Sequence, residues 1–231
     1  MIRSSLVIVT VIAGLTVGSS AIAQETGTLI KRPAAQVDKR GPAGARTTME
    51  AFGACLVSRS RGRVLKFVDM PVDQPAYRKY LNGLFAEEGD QCLSGGDLRF
   101  NEVVLRGALF QALYETEFRA DRALDFAAVA SSGYRDLYGA EPSPAARSSI
   151  ALVRFGECVA RADPANLRAL LFSLPGSPTE ATLMNTLVPR FGACIPKGEN
   201  IIFSKVVLKG ALAEGMYRLS RAAATKRLGG Q

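Results

Sequence analysis

The sequence predicts an all-α fold built from a tandem duplication of a roughly four-helix module, with one disulfide closing each copy. Three observations support this prediction. Sequence blocks recur at a fixed offset, helix-capping residues precede segments whose apolar residues fall at helical spacing, and each copy contains two cysteines. No segment shows the sustained alternation of β-branched residues that is typical of a β-strand.

Residues 1–23 have the three parts of a secretory signal peptide. Arg3 provides a positive start, the apolar run Leu6–Gly18 follows, and Ala21-Ile22-Ala23 is a small-x-small cleavage site, so the mature chain is expected to begin at Gln24. The apolar run is shorter than the roughly 20 residues that span a bilayer. We therefore expect a periplasmic or secreted protein that does not span the membrane after cleavage.

The repeat is visible in two pairs of blocks. Phe52–Cys55 (FGAC) recurs as Phe155–Cys158 (FGEC), and Val103–Leu109 (VVLRGAL) recurs as Val206–Leu212 (VVLKGAL), both at an offset of 103 residues. Further matches at or within one residue of that offset pair Asn82 with Asn185, Leu84 with Leu187, Gly89 with Gly192, Cys92 with Cys194, Phe100 with Phe203 and Tyr114 with Tyr217. So many coincidences in one register indicate a duplication.

The first copy is predicted to span residues 47–118. Thr47-Thr48-Met49-Glu50 has the pattern of a capping box, and Asn101 is a suitable N-cap for the long last helix. Residues 24–46, rich in Gly, Pro and basic side chains without periodicity, are predicted to be a flexible segment. Residues 119–142 are predicted to link the copies, and their start, residues 121–130, could extend the long helix.

The second copy is predicted to span residues 143–221. Ser143-Pro144 opens a helix through Cys158, and Asp163-Pro164 opens another to about Phe172. Ser177-Pro178-Thr179-Glu180 is a capping box for a third helix, predicted to end between Pro189 and Gly192. Ser204 caps the fourth, long helix, and residues 222–231 are predicted to be a flexible tail.

The four cysteines are expected to be paired, because an exported chain meets an oxidising environment. Four cysteines allow three connectivities, and the repeat symmetry maps each onto itself. A single-copy precursor had only its own two cysteines to join, which predicts Cys55–Cys92 and Cys158–Cys194. Zinc or thiol-redox sites usually need closer pairs such as Cys-x-x-Cys, which the chain lacks. We expect structural disulfides and neither a metal nor a cofactor.

The composition removes many catalytic mechanisms. The chain contains no histidine, which excludes Ser-His-Asp and Cys-His mechanisms, and it has no glycine-rich phosphate-binding loop. An enzyme that uses carboxylates alone, such as one acting on cell-wall glycan, stays open, with Glu87, Glu88 and Glu157 as its candidate acids. The absence of Trp argues against a sugar-binding groove, so solvated surface acids are the favoured interpretation.

Polar residues shared by the two copies are the better candidates for binding. Arg106 and Lys209 occupy corresponding positions on the long helices and are candidate anion-binding residues. The alternative, which we favour, is that each is a helix-surface charge or pairs with an acid of a neighbouring helix. Gly107 and Gly210 follow them, and since glycine costs about 1 kcal/mol inside a helix, we expect both to permit close approach of another helix.

The charge and the repeat pattern bear on partners. The formal net charge is +8 and the pI is about 9.6, with the densest basic run at Arg59–Lys66, which favours an anionic envelope component over nucleic acid in an exported protein.

The F-G-x-C … C … L-[RK]-G-A-L pattern with a following Tyr, over Phe52–Tyr114 and Phe155–Tyr217, resembles a group of uncharacterised exported proteins of Gram-negative bacteria. That resemblance implies a periplasmic location and no known activity.

Three functions are therefore carried forward. The first is a non-enzymatic binding or scaffold protein of the cell envelope, with an unknown partner. The second is a carrier of a small ligand in a pocket between helices, which predicts a sizeable apolar pocket near Arg106 or Lys209. The third is the carboxylate-only enzyme, which predicts a cleft containing Glu87, Glu88 or Glu157 with a raised pKa.

Overall fold

The computed structural model describes residues 41–93, 100–120, 125–131, 138, 141–195 and 204–229. Their helices are α1 (Gly41–Val68), α2 (Ala76–Leu84), a π-helical turn (Phe85–Gly89), α3 (Asp90–Cys92), α4 (Glu102–Glu117), α5 (Pro144–Ala162), α6 (Pro164–Leu171), α7 (Pro178–Cys194) and α8 (Lys205–Gly229). None of these residues belongs to an extended β-strand, so the all-α prediction is confirmed.

The two long helices α4 and α8 pack against each other at the centre, with α1 against α4 and α5 against α8. Helices α4 and α8 come into close backbone contact at two glycines. A Cβ atom added to Gly107 would lie 2.5 Å from the Cα of Gly210, and one added to Gly210 would lie 2.8 Å from the Cα of Gly107. The prediction that these glycines permit close approach of a neighbouring helix is confirmed.

The core fills the spaces on both sides of this crossing. Phe52, Phe85 and Phe100 form an aromatic cluster on the α1 side, with ring centroids 5.3–6.3 Å apart. On the other side of α4, Phe110 packs on Tyr217 of α8 at 5.7 Å. Fully burying an aromatic or leucine side chain contributes roughly 1.5–3 kcal/mol, so this core is the main source of stability.

Both predicted disulfides are present. Cys55 of α1 is bonded to Cys92 of α3, and Cys158 of α5 is bonded to Cys194 of α7, with Cα–Cα distances of 5.6 and 5.7 Å. The cysteines of each pair are 37 and 36 residues apart. Closing a loop of that length removes chain entropy from the unfolded state worth roughly 4 kcal/mol.

The helix starts follow the predicted caps in five cases. The side chains of Asn101, Ser143, Asp163, Ser177 and Ser204 accept hydrogen bonds from the backbone N–H of Val103, Ala146, Asn166, Glu180 and Val207, respectively. Each bond satisfies one of the N–H groups that the first helical turn leaves unpaired. Proline follows three of these caps at the first helical position, where its missing N–H has no cost.

The predicted start of α1 is wrong, because the helix begins at Gly41. The hydroxyls of Thr47 and Thr48 do not cap it but donate to the carbonyls of Ala43 and Gly44, four residues earlier. The flexible segment predicted for residues 24–46 is therefore helical from residue 41 onward. The earlier part of that segment and the predicted signal peptide, residues 1–23, lie outside the described residues.

Three predicted helix ends also need correction. Helix α8 continues to Gly229 instead of ending before a flexible tail at 222–231, and Lys226 in that stretch donates to the carbonyl of Ala128. Helix α7 continues past Pro189 to Cys194. Helix α4 ends at Glu117, and residues 125–131 of the linker are not helical, so the long helix does not extend through them.

None of the helices in the described part of the chain has both the length and the apolar character needed to cross a membrane.

Candidate functional site

A cavity of about 570 Å³ lies between α4, α5 and α8. Its wall contains, among the described residues, Val72, Tyr77, Arg78, Asn101, Glu102, Val103, Arg106, Gly107, Ala145, Ser148, Ser149, Leu152, Gly210, Ala211 and Glu214. Pockets that bind small molecules are typically about 300–1,000 Å³, so this volume suits an organic ligand.

One stripe of α5 forms a side of the cavity. Ala145, Ser148, Ser149 and Leu152 follow the spacing i, i+3, i+4 and i+7, which places them on one face of the helix. Their side chains are small except for Leu152. The opposite side includes Gly107 and Gly210, where α4 crosses α8.

Arg106 is the most deeply buried cation of the cavity wall, with 5% of its surface exposed. Its Nε and Nη2 donate to the Glu214 carboxylate at 3.2 and 3.0 Å, and Nη2 also donates to the carbonyl of Val68 at 2.7 Å. The remaining nitrogen, Nη1, is buried and has no hydrogen-bond partner within the described part of the chain. No hydrogen bond of normal geometry to a described residue therefore uses Nη1, although Arg106 is close enough to Tyr77 to lower the pKa of its phenol through charge and hydrogen bonding.

Glu214 is shared by two arginines. Arg218 donates to the same carboxylate from Nε and Nη2, at 3.0 and 2.9 Å. Burial alone would raise the pKa of Glu214, but Arg106 and Arg218 hold that pKa below its ordinary value. The carboxylate is therefore ionised, and the triad of Arg106, Glu214 and Arg218 carries one net positive charge.

Tyr77 lies beside Arg106 in the cavity wall. Burial raises the pKa of its phenol to about 12, and the nearby Arg106 acts in the opposite direction. The hydroxyl is therefore neutral at physiological pH. This hydroxyl can donate one hydrogen bond and accept another at the edge of the otherwise apolar Tyr77 ring.

Lys209, which lies 103 residues after Arg106 in the sequence, is in a closed environment. With 2% of its surface exposed, it donates from Nζ to Glu50 at 2.9 Å and to the carbonyl of Ser173 at 3.1 Å, and Glu180 lies 3.8 Å away. Arg46 in turn makes two hydrogen bonds to Glu180, at 2.6 and 2.8 Å. Both Arg106 and Lys209 thus pair with acids of neighbouring helices, while anion binding by either stays a prediction.

The space next to Lys209 is almost filled. It measures about 10 Å³ and is lined by residues that include Arg46, Met49 and Glu50 of α1. At the 103-residue offset these three correspond to Ser149, Leu152 and Val153 of α5. Two spaces flank the α4–α8 crossing. Long side chains of α1 pack into the space beside Lys209, and the space beside Arg106 is open.

The carrier hypothesis predicted a sizeable pocket near Arg106 or Lys209, and the structure has one beside Arg106. Sequence reasoning did not predict which of the two positions is open. The signal was a difference at the 103-residue offset, where Arg46 corresponds to the smaller Ser149.

The structure does not bring the three candidate carboxylates together. A hydrogen bond from Arg63 lowers the pKa of Glu87, and a hydrogen bond from Ser60 at 2.5 Å lowers the pKa of Glu88. An acid catalyst would need a raised pKa, so both shifts have the wrong sign. Glu157 is buried on α5 near the crossing with α8 at Gly215, so its interpretation as a solvated surface acid is wrong. None of the three is among the residues of the cavity wall.

The densest basic run of the sequence is largely neutralised by neighbouring acids. Arg59, Arg61 and Arg63 each form an ion pair with a glutamate, respectively Glu88, Glu117 and Glu87. The described residues of this run therefore form a mixed-charge surface instead of a concentrated positive patch, which weakens the expectation of an anionic envelope partner at this site.

The search for metal ligands and for known relatives adds no further assignment. Within the ranges that the structure describes, no group of three or more Cys, Asp or Glu side chains is arranged to hold a metal ion. No family model matches the chain, and comparisons with curated proteins and with solved structures find no significant match.

Proposed function

We propose that this chain is an exported protein that binds a small organic ligand in the cavity between α4, α5 and α8. The observation that carries the proposal is the difference between two corresponding spaces, about 570 Å³ beside Arg106 and about 10 Å³ beside Lys209. The filled space shows that such helices can close this gap when the side chains are long. The open space is therefore a property of the sequence at those positions.

A tandem duplication explains this arrangement. It is supported by the blocks at a 103-residue offset, by the disulfides at corresponding positions, and by the meeting of Gly107 with Gly210. In this proposal one copy kept a packed ion-pair network around Lys209. The other copy lost the filling side chains and acquired a binding cavity.

Export to the periplasm is part of the proposal. It is supported by the signal-peptide pattern of residues 1–23, by two disulfides, which persist in oxidising compartments, and by the resemblance to exported proteins of Gram-negative bacteria. A carrier or ligand-dependent binding protein is preferred here over a pure scaffold. The exposed large apolar residues among those described, Val103, Leu174 and Val188, are few, and scattered apolar residues do not mark an interface.

Native mass spectrometry of protein exported and purified without reducing agent tests the proposal. We expect the wild-type chain to carry excess mass that is lost on unfolding, or to acquire it on incubation with a cell extract of small molecules. The Ser149→Phe variant, which places a large side chain in the cavity wall, should lose that mass.

Ser149→Ala is the matched control. Both variants lose the hydrogen bond between Ser149 and Tyr138, which is 3.1 Å long, but only the phenylalanine fills space. Retention of the excess mass by Ser149→Phe would move the binding site elsewhere. A wild-type chain that binds nothing from the extract would contradict the proposed function.

A further inference from the structure

The cavity beside Arg106 has an unbalanced positive charge. Its wall contains Arg78 paired with Glu102, at 3.1 Å, and Arg106 paired with Glu214, while Arg218 shares Glu214 from behind. The two cations and two carboxylates of the wall balance each other, and Arg218, which contacts Glu214 without lining the cavity, adds one positive charge. A ligand with a single negative charge would balance it.

The start of α4 points to the same kind of ligand. Asn101, Glu102 and Val103 line the cavity at the N-terminus of a 16-residue helix, where the helix dipole is equivalent to roughly half a positive charge. Arg106 lies one turn further along, and its Nη1 has no partner among the residues that surround it in the described structure. A helix N-terminus and an unsatisfied buried guanidinium thus act on the same cavity.

The rest of the wall is suited to an apolar body. Val72, Val103, Leu152 and Ala211 contribute aliphatic surface, and Tyr77 contributes its ring. Each CH₂ group transferred from water to such a wall tightens binding about fourfold. An apolar chain of several carbons would therefore supply most of the affinity, while the charged group would set the orientation.

We propose that the ligand is an amphipathic organic monoanion, with a carboxylate held by Arg106 and an apolar body between α4 and α5. The inference rests on the proposed function and names the ligand class. Because Nη1 itself has almost no contact with solvent, a neighbouring side chain of the wall has to move before the carboxylate can reach it. Carboxylate and guanidinium then form a charge-assisted hydrogen bond.

Isothermal titration calorimetry with four ligands of equal chain length tests this class: octanoate, 1-octanol, octylammonium and octyl phosphate. We expect octanoate to bind about tenfold or more tightly than 1-octanol, because the charged hydrogen bond is absent in the alcohol. Octylammonium should bind more weakly still. Octyl phosphate, a dianion at neutral pH, should bind less tightly than octanoate because it leaves a negative charge in the cavity.

Arg106→Lys tests the residue. It keeps the charge but replaces the guanidinium, so the ratio of octanoate to 1-octanol affinity should fall about tenfold while 1-octanol binding is unchanged. A purely structural role of Arg106 would weaken both ligands together. Arg221→Gln, which removes an exposed pair with Asp69 and no residue of the cavity wall, is the control and should leave the ratio intact.

A second measurement on the wild type covers the case in which Arg106→Lys does not fold. The carboxyl carbon of ¹³C-labelled octanoate is followed by NMR as the pH is lowered. A guanidinium partner should make the bound carboxylate protonate at lower pH than free octanoate.

The outcomes separate the two proposals. Equal binding of octanoate and 1-octanol, lost in Ser149→Phe, would overturn the monoanion inference and leave the proposed function standing. Tighter binding of octyl phosphate or octylammonium, or binding of none of the four ligands, would overturn it as well. Failure of the proposed function is decided separately, by the native mass of the wild type and Ser149→Phe.

Discussion

The contact between α4 and α8 gives the most quantitative prediction, through the substitution Gly107→Ala. The added Cβ would lie 2.5 Å from the Cα of Gly210 and 3.4 Å from its carbonyl carbon. Nonpolar carbons in contact normally lie about 3.5–4.0 Å apart, so the two helices would have to separate by roughly 1 Å. No flexible side chain can move away instead, because the atoms in contact belong to the backbone.

The expected cost follows from two opposing effects. Alanine is a better helix former than glycine by about 1 kcal/mol, while forcing extra volume into a packed contact costs about 1–3 kcal/mol and more where backbone must move. We expect the free energy of unfolding to fall by about 2 kcal/mol. For a domain of this size that corresponds to a decrease in Tm of about 4–8 °C.

The measurement is urea unfolding of the oxidised protein, followed by circular dichroism, with Gly83→Ala as the matched control. Gly83 is also in a helix, α2, but a Cβ added there meets no atom within 4 Å. The control should therefore gain about 0.5–1 kcal/mol from helix propensity. If Gly107→Ala is as stable as Gly83→Ala, the close helix contact described here does not exist.

Three further predictions concern the buried charges and the disulfides. Glu214→Gln leaves its two arginine partners buried without a carboxylate and should lower the free energy of unfolding by about 3 kcal/mol or more, measured by urea unfolding; a loss below about 0.5 kcal/mol would contradict a buried triad. Replacing Cys158 and Cys194 with serine should cost roughly 4 kcal/mol in the same assay, and an unchanged midpoint would show that the bond is not formed. Burial alone would raise the pKa of Glu180, but the hydrogen bonds from Arg46 and from the backbone N–H of Gly176, with the charges of Arg46 and Lys209, together lower that pKa below 4.5. The stability from this ionised group is present above about pH 4.5 and is lost as the pH falls through the folded-state pKa, so Glu180→Gln should reduce the dependence of stability on pH between about pH 5 and 3; equal slopes for variant and wild type would contradict the pairing.

The features that the sequence predicted correctly depend on short-range or pairwise rules. Caps at Asn101, Ser143, Asp163 and Ser177 follow from local hydrogen bonding between a side chain and the next turn. The disulfide pairs follow from counting cysteines within each copy. Cap residues and cysteine pairing need no knowledge of how the helices are arranged in space.

The helix ends were harder because competing signals had to be weighed. The tail after Ala222 is rich in Ala, Lys and Arg, which are good helix formers, so its helical continuation to Gly229 follows from propensity. The glycines at the end of this tail do not outweigh its helix propensity. At the start of α1, the ion pair of Arg46 with Glu180, 134 residues away, anchors a turn that local rules would leave flexible.

The carrier hypothesis predicted a pocket near Arg106 or Lys209, but the volume of the cavity and its position beside Arg106 could not be predicted, because they are set by long-range packing. Its wall combines residues from 72 to 214, and it includes the small Ser149 where the residue 103 positions earlier is Arg46. The unsatisfied Nη1 of Arg106 likewise appears only once Glu214 and Val68 are placed around the guanidinium. Sequence periodicity identifies which face of a helix is apolar, but it does not give the volume that is left between two such faces.

A crystal structure of the wild-type protein, purified from the exported fraction without reducing agent, tests the central claim most directly. We expect the space between α4, α5 and α8 to contain density that is not protein, with an anionic group beside Arg106 and the apolar part against Leu152 and Tyr77. The space beside Lys209 should be filled by Arg46 and Glu50. A structure in which side chains close the Arg106 cavity as completely as the Lys209 one would contradict the proposed binding function.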